Sequence, residues 1–576
     1  MTLNNRLIKF LYGHRTQLAV VLCLFGLCMA QSKMAPKKRV RQKTDERVYL
    51  QHADQLRFDQ YGPVPGAQIV NGNVAFLHKG ARLTCDSAYF YQESNSFKAF
   101  GHVKMRQGDT LSLNSDYAYY DGNMQMAEAR HNVVLTHRAT KLYTDSLNYD
   151  RLYNIGYFFE GGKMIDKKNT LVSDWGEYNT ETRKAVFNYN VKLKNPKFVL
   201  TTDTLHYDTR TSLANIVGPS VITEKESVIH TSEGFYNTNT GRARLYGRST
   251  LTNKGKEITG DSLFYDEKRG ISQGYHNVVY KDTLQKNALT GDYVWYNENT
   301  GFALATDKAV LMEFSKDDTL YVHSDTVKVF TFNIKTDSVY RTAHCYNHVR
   351  AYRSDVQAVC DSLVYNTKDS CMTMYRDPIA WSGDRQLLGE VIYVYMKDST
   401  INRAHVENQA LSAELMHDGE HYNQISSRDM YAYFTDGKID ETEAIGNVRT
   451  VYYPIDDKDS TLMGLVYMET DTMRMFMDEN HKMEKIWSSK TTGTWYPMTQ
   501  IPPTRYKLEG FTWFDYIRPL DKDDIFEWRP KKAGTQLKKI ERHKAPLQHI
   551  DGGEMTTSSG TPPDSNGPKE QKENKE

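Results

Sequence analysis

Apolar and polar positions along this chain alternate in short bursts that restart every 28 to 31 residues over most of its length, which marks an array of one small unit. Each unit opens on an acid followed at two-residue steps by Leu and Tyr, as in Asp145-Ser-Leu-Asn-Tyr149, Asp203-Thr-Leu-His-Tyr207, Asp261-Ser-Leu-Phe-Tyr265 and Asp361-Ser-Leu-Val-Tyr365. Acid, Leu and Tyr then share one face of a strand and Ser or Thr the other. Turn residues follow, among them Asn237-Thr-Asn-Thr-Gly241 and Asp266-Glu-Lys-Arg-Gly270, so the strand reverses through a hairpin. The returning strand carries Gly101-His-Val103, His131-Asn-Val133, His276-Asn-Val278 or Asn347-His-Val349.

A Leu or Ile three residues before the acid, at Leu83, Leu113, Leu142, Leu171, Leu200 and Ile258, sharpens the geometry. Three is odd, so this residue and the Leu after the acid both face inward only if the strand bulges or turns a corner between them. The acid, repeated from Asp86 to Glu390, therefore sits at a bend, where it is expected to cap neighbouring backbone N–H groups. A residue copied in unit after unit does not mark one catalytic centre. The predicted fold class is all-β, with antiparallel two-strand repeats of about 29 residues and a non-repeat C-terminal segment.

Boundaries follow where the pattern starts and stops. Residues 1–30 read as a signal peptide, with Arg6, Lys9 and Arg15 ahead of an apolar run from Leu18 to Met29, and an uncleaved anchor is the alternative. Residues 31–46 read as a basic linker, 47–485 as the repeat array, 486–548 as an aromatic and proline-rich cap on the last unit, and 549–576 as a disordered tail.

Composition removes several function classes. The 73 Lys plus Arg against 72 Asp plus Glu give no global pull toward nucleic acid. Cys85, Cys345, Cys360 and Cys371 are too few for a disulfide scaffold in so long an exported chain, although Cys360 and Cys371 flank one turn and a bond between them is left open. His344-Cys345 and His348 resemble a metal cluster, but His348 falls in the repeat's own Asn-Val slot, and no metal is expected. No phosphate-binding loop is present and no cofactor is expected.

The recurring G-N-V and L-x-x-D-S-L-x-Y strings, clearest from Gly72 to Val310, resemble the OstA-like family, the LptA-like jellyrolls of lipopolysaccharide transport. The resemblance implies an open, twisted, elongated β-jellyroll whose apolar interior holds acyl chains and whose end strands add to other jellyrolls. It implies no catalytic motif, and this chain has several times more units than the family's single-domain members. The candidate groove residues are Val74, Phe76, Val103, Met105, Val133, Leu135, Leu147, Val191, Leu193, Leu205, Val221, Leu263 and Val278. Small residues such as Ala99, Gly101 and Ala129 alternate with them, either to leave a trough or to let the sheets pack closely. Basic turns supply headgroup-rim candidates at Lys79, Arg106, Arg138, Lys168, Lys197 and Lys254, where solubilising lysines are the plainer explanation.

The expected function is a non-enzymatic periplasmic carrier or bridge. It would shield the acyl chains of lipopolysaccharide or a related glycolipid during outer-membrane assembly, at the periplasmic face of that membrane, with other jellyrolls of the transport machinery as partners. The alternatives are a secreted β-helix that binds or cleaves polysaccharide, which tight hairpin reversals disfavour, and a ligand-free scaffold.

Overall fold

The computed structural model describes residues 46–537, apart from 59, 316–317, 335, 398–399, 437, 457–458 and 479–482. The signal peptide, the tail, nearly all of the linker and the last residues of the cap lie outside the described residues. Two compact units are present, one comprising residues up to 319 with 325–341, the other 320–324 with the chain from 342 onward.

In the first unit, strands such as Gln68–His78, Ala81–Tyr91, Ser96–Gln107, Leu111–Asp121, Met126–His137 and Thr140–Asp150 run up and down, each antiparallel to the next. Every strand bends at its middle. At most corners the bend is made on one strand by two consecutive residues with positive φ, such as Gly101 (72°) with His102 (43°), or His131 (61°) with Asn132 (52°). Gly and Asn tolerate that conformation best, which is the physical content of the Gly-His-Val and His-Asn-Val strings.

The register shows what the pair does. Thr84 faces Lys104 and Ser87 faces Phe100, so one strand has an extra residue at the bend. On Ser96–Gln107 the inward set keeps its parity across the pair, with Phe97 and Ala99 before it and Val103 and Met105 after; on Ala81–Tyr91 the inward set changes parity, from Leu83 and Cys85 to Ala88 and Phe90. This is the corner required by the odd spacing of Leu and acid, and it doubles the sheet into two walls that share one floor.

Many of the corner acids do cap, but chiefly across strands. Asn132 donates its side-chain amide to Asp116 at 2.6 Å, Asn190 to Asp174 at 2.6 Å and Asn277 to Asp261 at 2.8 Å, and His102 Nδ1 lies 2.7 Å from Asp86. Backbone N–H groups contribute where Asn132 donates to Asp145 at 3.4 Å and Asn277 to Asp292 at 3.2 Å. The residue before the acid donates to the carbonyl two residues on, as in Ser115 to Tyr117, Thr144 to Ser146, Ser173 to Trp175 and Cys360 to Ser362. Cys85 and Cys360 thus occupy a hydroxyl slot of the repeat. All four described cysteines are buried and free, and no bond joins Cys360 to Cys371.

In the second unit the strand pattern continues to Thr492–Tyr496, which pairs with Leu465–Met477. The aromatic, proline-rich segment after it does not close the last unit, as the cap reading required. It runs back as a strap across the outer face of one wall. Two buried glutamines hold it in the same way: Gln424 donates to Tyr506 O and accepts from Leu508 N–H, both at 2.8 Å, and Gln386 donates to Thr512 O at 2.8 Å and accepts from Phe514 N–H at 2.7 Å. Each primary amide thereby presents one donor and one acceptor, like a piece of neighbouring strand. Further along, wholly buried Arg350 donates to Ile517 O and pairs with Asp524, which also binds Arg529. Phe514 and Ile517 complete an apolar cluster with Val359, Ile379, Trp381 and Leu411 on the wall. That cluster explains why wall positions which would otherwise face water are apolar.

Replacing Gln386 and Gln424 together by Ala would leave strap N–H and C=O groups unpaired, at about 1–3 kcal/mol for each residue. The expected result in urea melts and limited proteolysis is a less stable chain that is cut first between residues 498 and 537. A strap as protease-resistant as the wild type would contradict this account of what holds it.

Candidate functional site

The candidate site is the space between the two walls of the first unit. Its floor is the line of corners, its sides are the inward residues, and its mouth lies between the two rows of hairpin tips. Val74, Phe76, Val103, Met105, Val133, Leu135, Leu147, Val191, Leu193, Leu205, Leu263 and Val278 all belong to its buried lining. Val221 does not. Gly218 (φ 90°) and Pro219 make that corner, so Ser220 and Ile222 take the inward positions and Val221 is half-buried on the outside, facing Thr201 and His230.

From Val48 to Ile222 the interior is full rather than open. Aromatic side chains fill it, among them Phe76, Phe97, Tyr120, Tyr149, Phe158, Tyr178, Phe187 and Tyr207, all nearly inaccessible. Between Phe76, Leu83, Phe97, Met105 and Tyr120 a void of only about 10 Å³ remains, room for at most one water. The small residues at the floor therefore serve close packing along this stretch.

Polar side chains close the mouth above this packed interior. Arg151 donates to Tyr120 Oη at 2.6 Å, to Lys79 O at 3.2 Å and to Gln107 at 3.1 Å. His78 Nδ1 lies 2.7 Å from Tyr120 Oη while its Nε2 faces Glu46 O, so a neutral ring protonated on Nε2 satisfies both neighbours. Tyr207 donates to Asp166 at 2.8 Å, His137 Nδ1 meets Tyr178 Oη at 2.9 Å, and Lys167 reaches Ser212 at 2.9 Å. These contacts join residues 31 to 72 positions apart in the chain, and the sequence reading missed them. Their signal was a polar residue in an inward slot: His78, His137 and Asp166 stand two positions beyond Phe76, Leu135 and Met164.

Further along the unit the same repeat slots are more accessible. Leu251 occupies the place of Met105 and Leu135, Ile258 that of Leu83 and Leu142, and Tyr265 that of Tyr120 and Tyr149, yet all three are only half-buried, as are Ile229 and Tyr280. Leu245, Leu263 and Val278 still seal the floor beneath them. The cross-mouth pair of Lys197 with Glu267 lies near the change. From about Ile229 to Tyr280 the apolar lining is thus partly accessible, although Tyr236 and Asp282 remain buried.

The rim candidates divide. Lys79, Arg138, Lys168, Lys197 and Lys254 are exposed along one row of hairpin tips, with Lys254 bound to Glu226. Arg106 is instead exposed on the outside of its wall, facing Ser112. The sequence's metal candidate does not converge: His344 lies against Thr342 and Tyr346, Cys345 is buried, and His348 packs on Trp528. Among the described residues no group of His, Cys, Asp and Glu is arranged to hold a metal.

The doubled sheet defines an all-β jellyroll of stacked antiparallel strands. Residues 45–203 and 197–261 match the model of the family described as OstA-like protein, the family that the repeated strings resemble. Among solved structures it is similar to LptH, described as the LptA homologous periplasmic component of the conserved lipopolysaccharide transport device from Pseudomonas aeruginosa. The two are 14% identical over 21% of this chain and 82% of that one, with a TM-score of 0.18. No curated protein matches.

The closed mouth carries a pH dependence. Burial, with Arg151 nearby, holds the His78 pKa below its ordinary value, and burial, with Arg138 and Arg183, does the same for His137. Both rings are neutral in the fold, while the unfolded chain takes up protons near pH 6.5. Their contribution is complete above that pH and is lost as the pH falls through the lower folded values. Thermal melts should therefore show Tm falling as the pH drops below about 6.5, with a shallower fall in the His78→Gln, His137→Gln variant. A Tm that rises on acidification would reverse the sign and refute this reading.

Proposed function

We propose that this chain is a periplasmic lipopolysaccharide carrier or bridge, in which the partly accessible stretch of the first unit is a trough that shields acyl chains on their way to the outer membrane. The observation that carries the reading is the change at fixed repeat slots: side chains that fill the interior at Met105, Leu83 and Tyr120 become a partly accessible apolar lining at Leu251, Ile258 and Tyr265, within and just beyond the stretch that matches the OstA-like family. Each methylene buried there contributes about 0.8 kcal/mol, so ten contribute about 8. A hydrogen bond across the mouth is worth roughly 0.5–1.5 kcal/mol, so a chain seated in the trough can part the neighbouring closure. Binding by burial alone does not discriminate between acyl chains, which suits passage along a groove.

The exposed tips Lys197 and Lys254 border this trough and supply charge-assisted donors for headgroup phosphates, with Lys79, Arg138 and Lys168 continuing the row. The last strand of the second unit, Met483–Ser488 and Thr492–Tyr496, exposes Ile486, Trp487 and Trp495. It is the edge we assign to another jellyroll of the transport machinery. On this reading residues 1–30 act as an export leader, the chain works in the periplasm at the inner side of the outer membrane, and no catalytic step is proposed. A polysaccharide-active parallel β-helix is excluded by antiparallel pairing at strand after strand. The ligand-free scaffold is the second reading, favoured by the packed interior before Ile229.

Photo-crosslinking residues at Leu251, Ile258 and Tyr280, with Val133 and Val191 as sites in the packed stretch, separate the two readings in cells. Adducts with labelled lipopolysaccharide are expected at the first three positions and fewer at the last two. Labelling at none of the five would leave the scaffold.

A further inference from the structure

The outside of one wall of the first unit carries a charge pattern that the trough does not use. It is the wall formed by residues 74–85, 103–114, 133–144, 162–173 and 191–202. Its outward positions fall into two lines that cross the strands. One line contains Arg82, Arg106, Lys141 and Lys194, separated by Ser112, Thr136, Ile165 and Thr170. The other contains Lys104, Lys163 and Lys192, with Thr84, Asn114, Val134, Tyr143 and Val172 between. Neither line holds an acid, and among the described residues none of these cations forms an ion pair. All are exposed except Lys104, which is half-exposed.

The opposite wall differs. Its outside mixes signs, and Arg130 there is engaged by Glu128 and Asn148. In the second unit the outside of a wall is apolar and lies under the strap, whereas here no strap lies over it among the described residues.

We propose that this basic wall is a docking face for an anionic phospholipid bilayer. Strands lie about 4.8 Å apart, so the seven steps from Arg82 to Lys194 spread the cations over roughly 34 Å of a broad sheet surface. They lie spread over successive strands and do not converge on one point, so a small anion would meet only one or two at a time. A partner that engages the whole face must itself be extended and evenly negative. The hydroxyls of Thr84, Thr136 and Thr170 and the short apolar side chains of Val134 and Val172 match a headgroup layer, which offers phosphate oxygens with acyl surface just beneath. This face is separate from the trough, and its role does not depend on what the trough holds.

The test is co-sedimentation of the full chain with vesicles of equal phosphatidylglycerol and phosphatidylcholine, set against phosphatidylcholine alone to correct for apolar insertion. Binding is expected on the anionic vesicles and should weaken steeply with added salt. The Lys104→Glu, Arg106→Glu, Lys141→Glu, Lys192→Glu variant should bind roughly a hundredfold more weakly or worse, while Lys98→Glu with Lys184→Glu, on the opposite wall, should stay within about twofold. Equal, salt-insensitive binding to neutral vesicles would overturn the proposal, as would equal losses in the two variants. Capture by a soluble polyanion such as dextran sulfate with no binding to anionic vesicles would also overturn it, by assigning the face to a polymer.

Discussion

Two consecutive left-handed residues at the middle of a strand are the constraint on which the first unit depends. Each such residue costs about 1–2 kcal/mol unless it is Gly or an Asn-like side chain, and the chain meets that cost locally. Gly, His and Asn fill most of the positions, and an acid on the neighbouring strand binds the second of them, as Asp116 binds Asn132. What the pair secures is larger than what it costs. Because it adds one residue to one strand, it lets Leu83 and Ala88 on the partner face the same interior, and burying a Leu or Val contributes about 1.5–3 kcal/mol. Repeated at each strand, this converts one sheet into two walls without a second set of connections.

Once the floor is fixed, the mouth becomes the variable part. The corners at Gly101, His131 and His276 have the same form, yet the hairpin tips above them differ. Where Arg151, His78, His137 and Asp166 stand in inward slots, the walls are drawn together over aromatic rings. Where Leu251, Ile258 and Tyr280 stand in inward slots further along, they are only half-buried. The exteriors vary independently as well: one wall of the first unit is left to water as a basic face, while the second unit covers an apolar wall with a strap held through Gln386 and Gln424.

Periodic features were legible in the sequence, and singular ones were not. The corner could be read because Leu83, Asp86 and Ala88 recur in kind, and an odd spacing repeated many times admits few geometries. The inward residues followed by counting in twos from Val103 or Val133. Counting failed at Val221, where Gly218-Pro219 takes the place of Gly-His and shifts which residue comes next after the pair. The closed mouth could not be read by counting at all, because Arg151 reaches Lys79 over 72 residues and neither recurs as a pair. The strap was misjudged as an end cap because its aromatic residues have no period. Its partners, Trp381 and Leu411, looked like ordinary strand residues whose outward orientation only the register reveals.

The separation of floor from mouth bears on how such a protein could pass an apolar chain along. If opening required the corners to change, each step would break the acid-to-Asn contacts and reverse the parity of a whole strand, unpairing its ladder. Opening at the mouth breaks only side-chain contacts such as Tyr207 to Asp166, while the backbone pairing of Val199–Asp208 with its neighbours is untouched. Under the proposed function, a chain entering from the half-buried stretch would therefore meet the closure one pair at a time, each worth little beside the methylenes it would bury, and the aromatic rings behind it would return as it left. Repetition at the floor combined with variation at the tips is an arrangement in which small successive barriers replace a single large one.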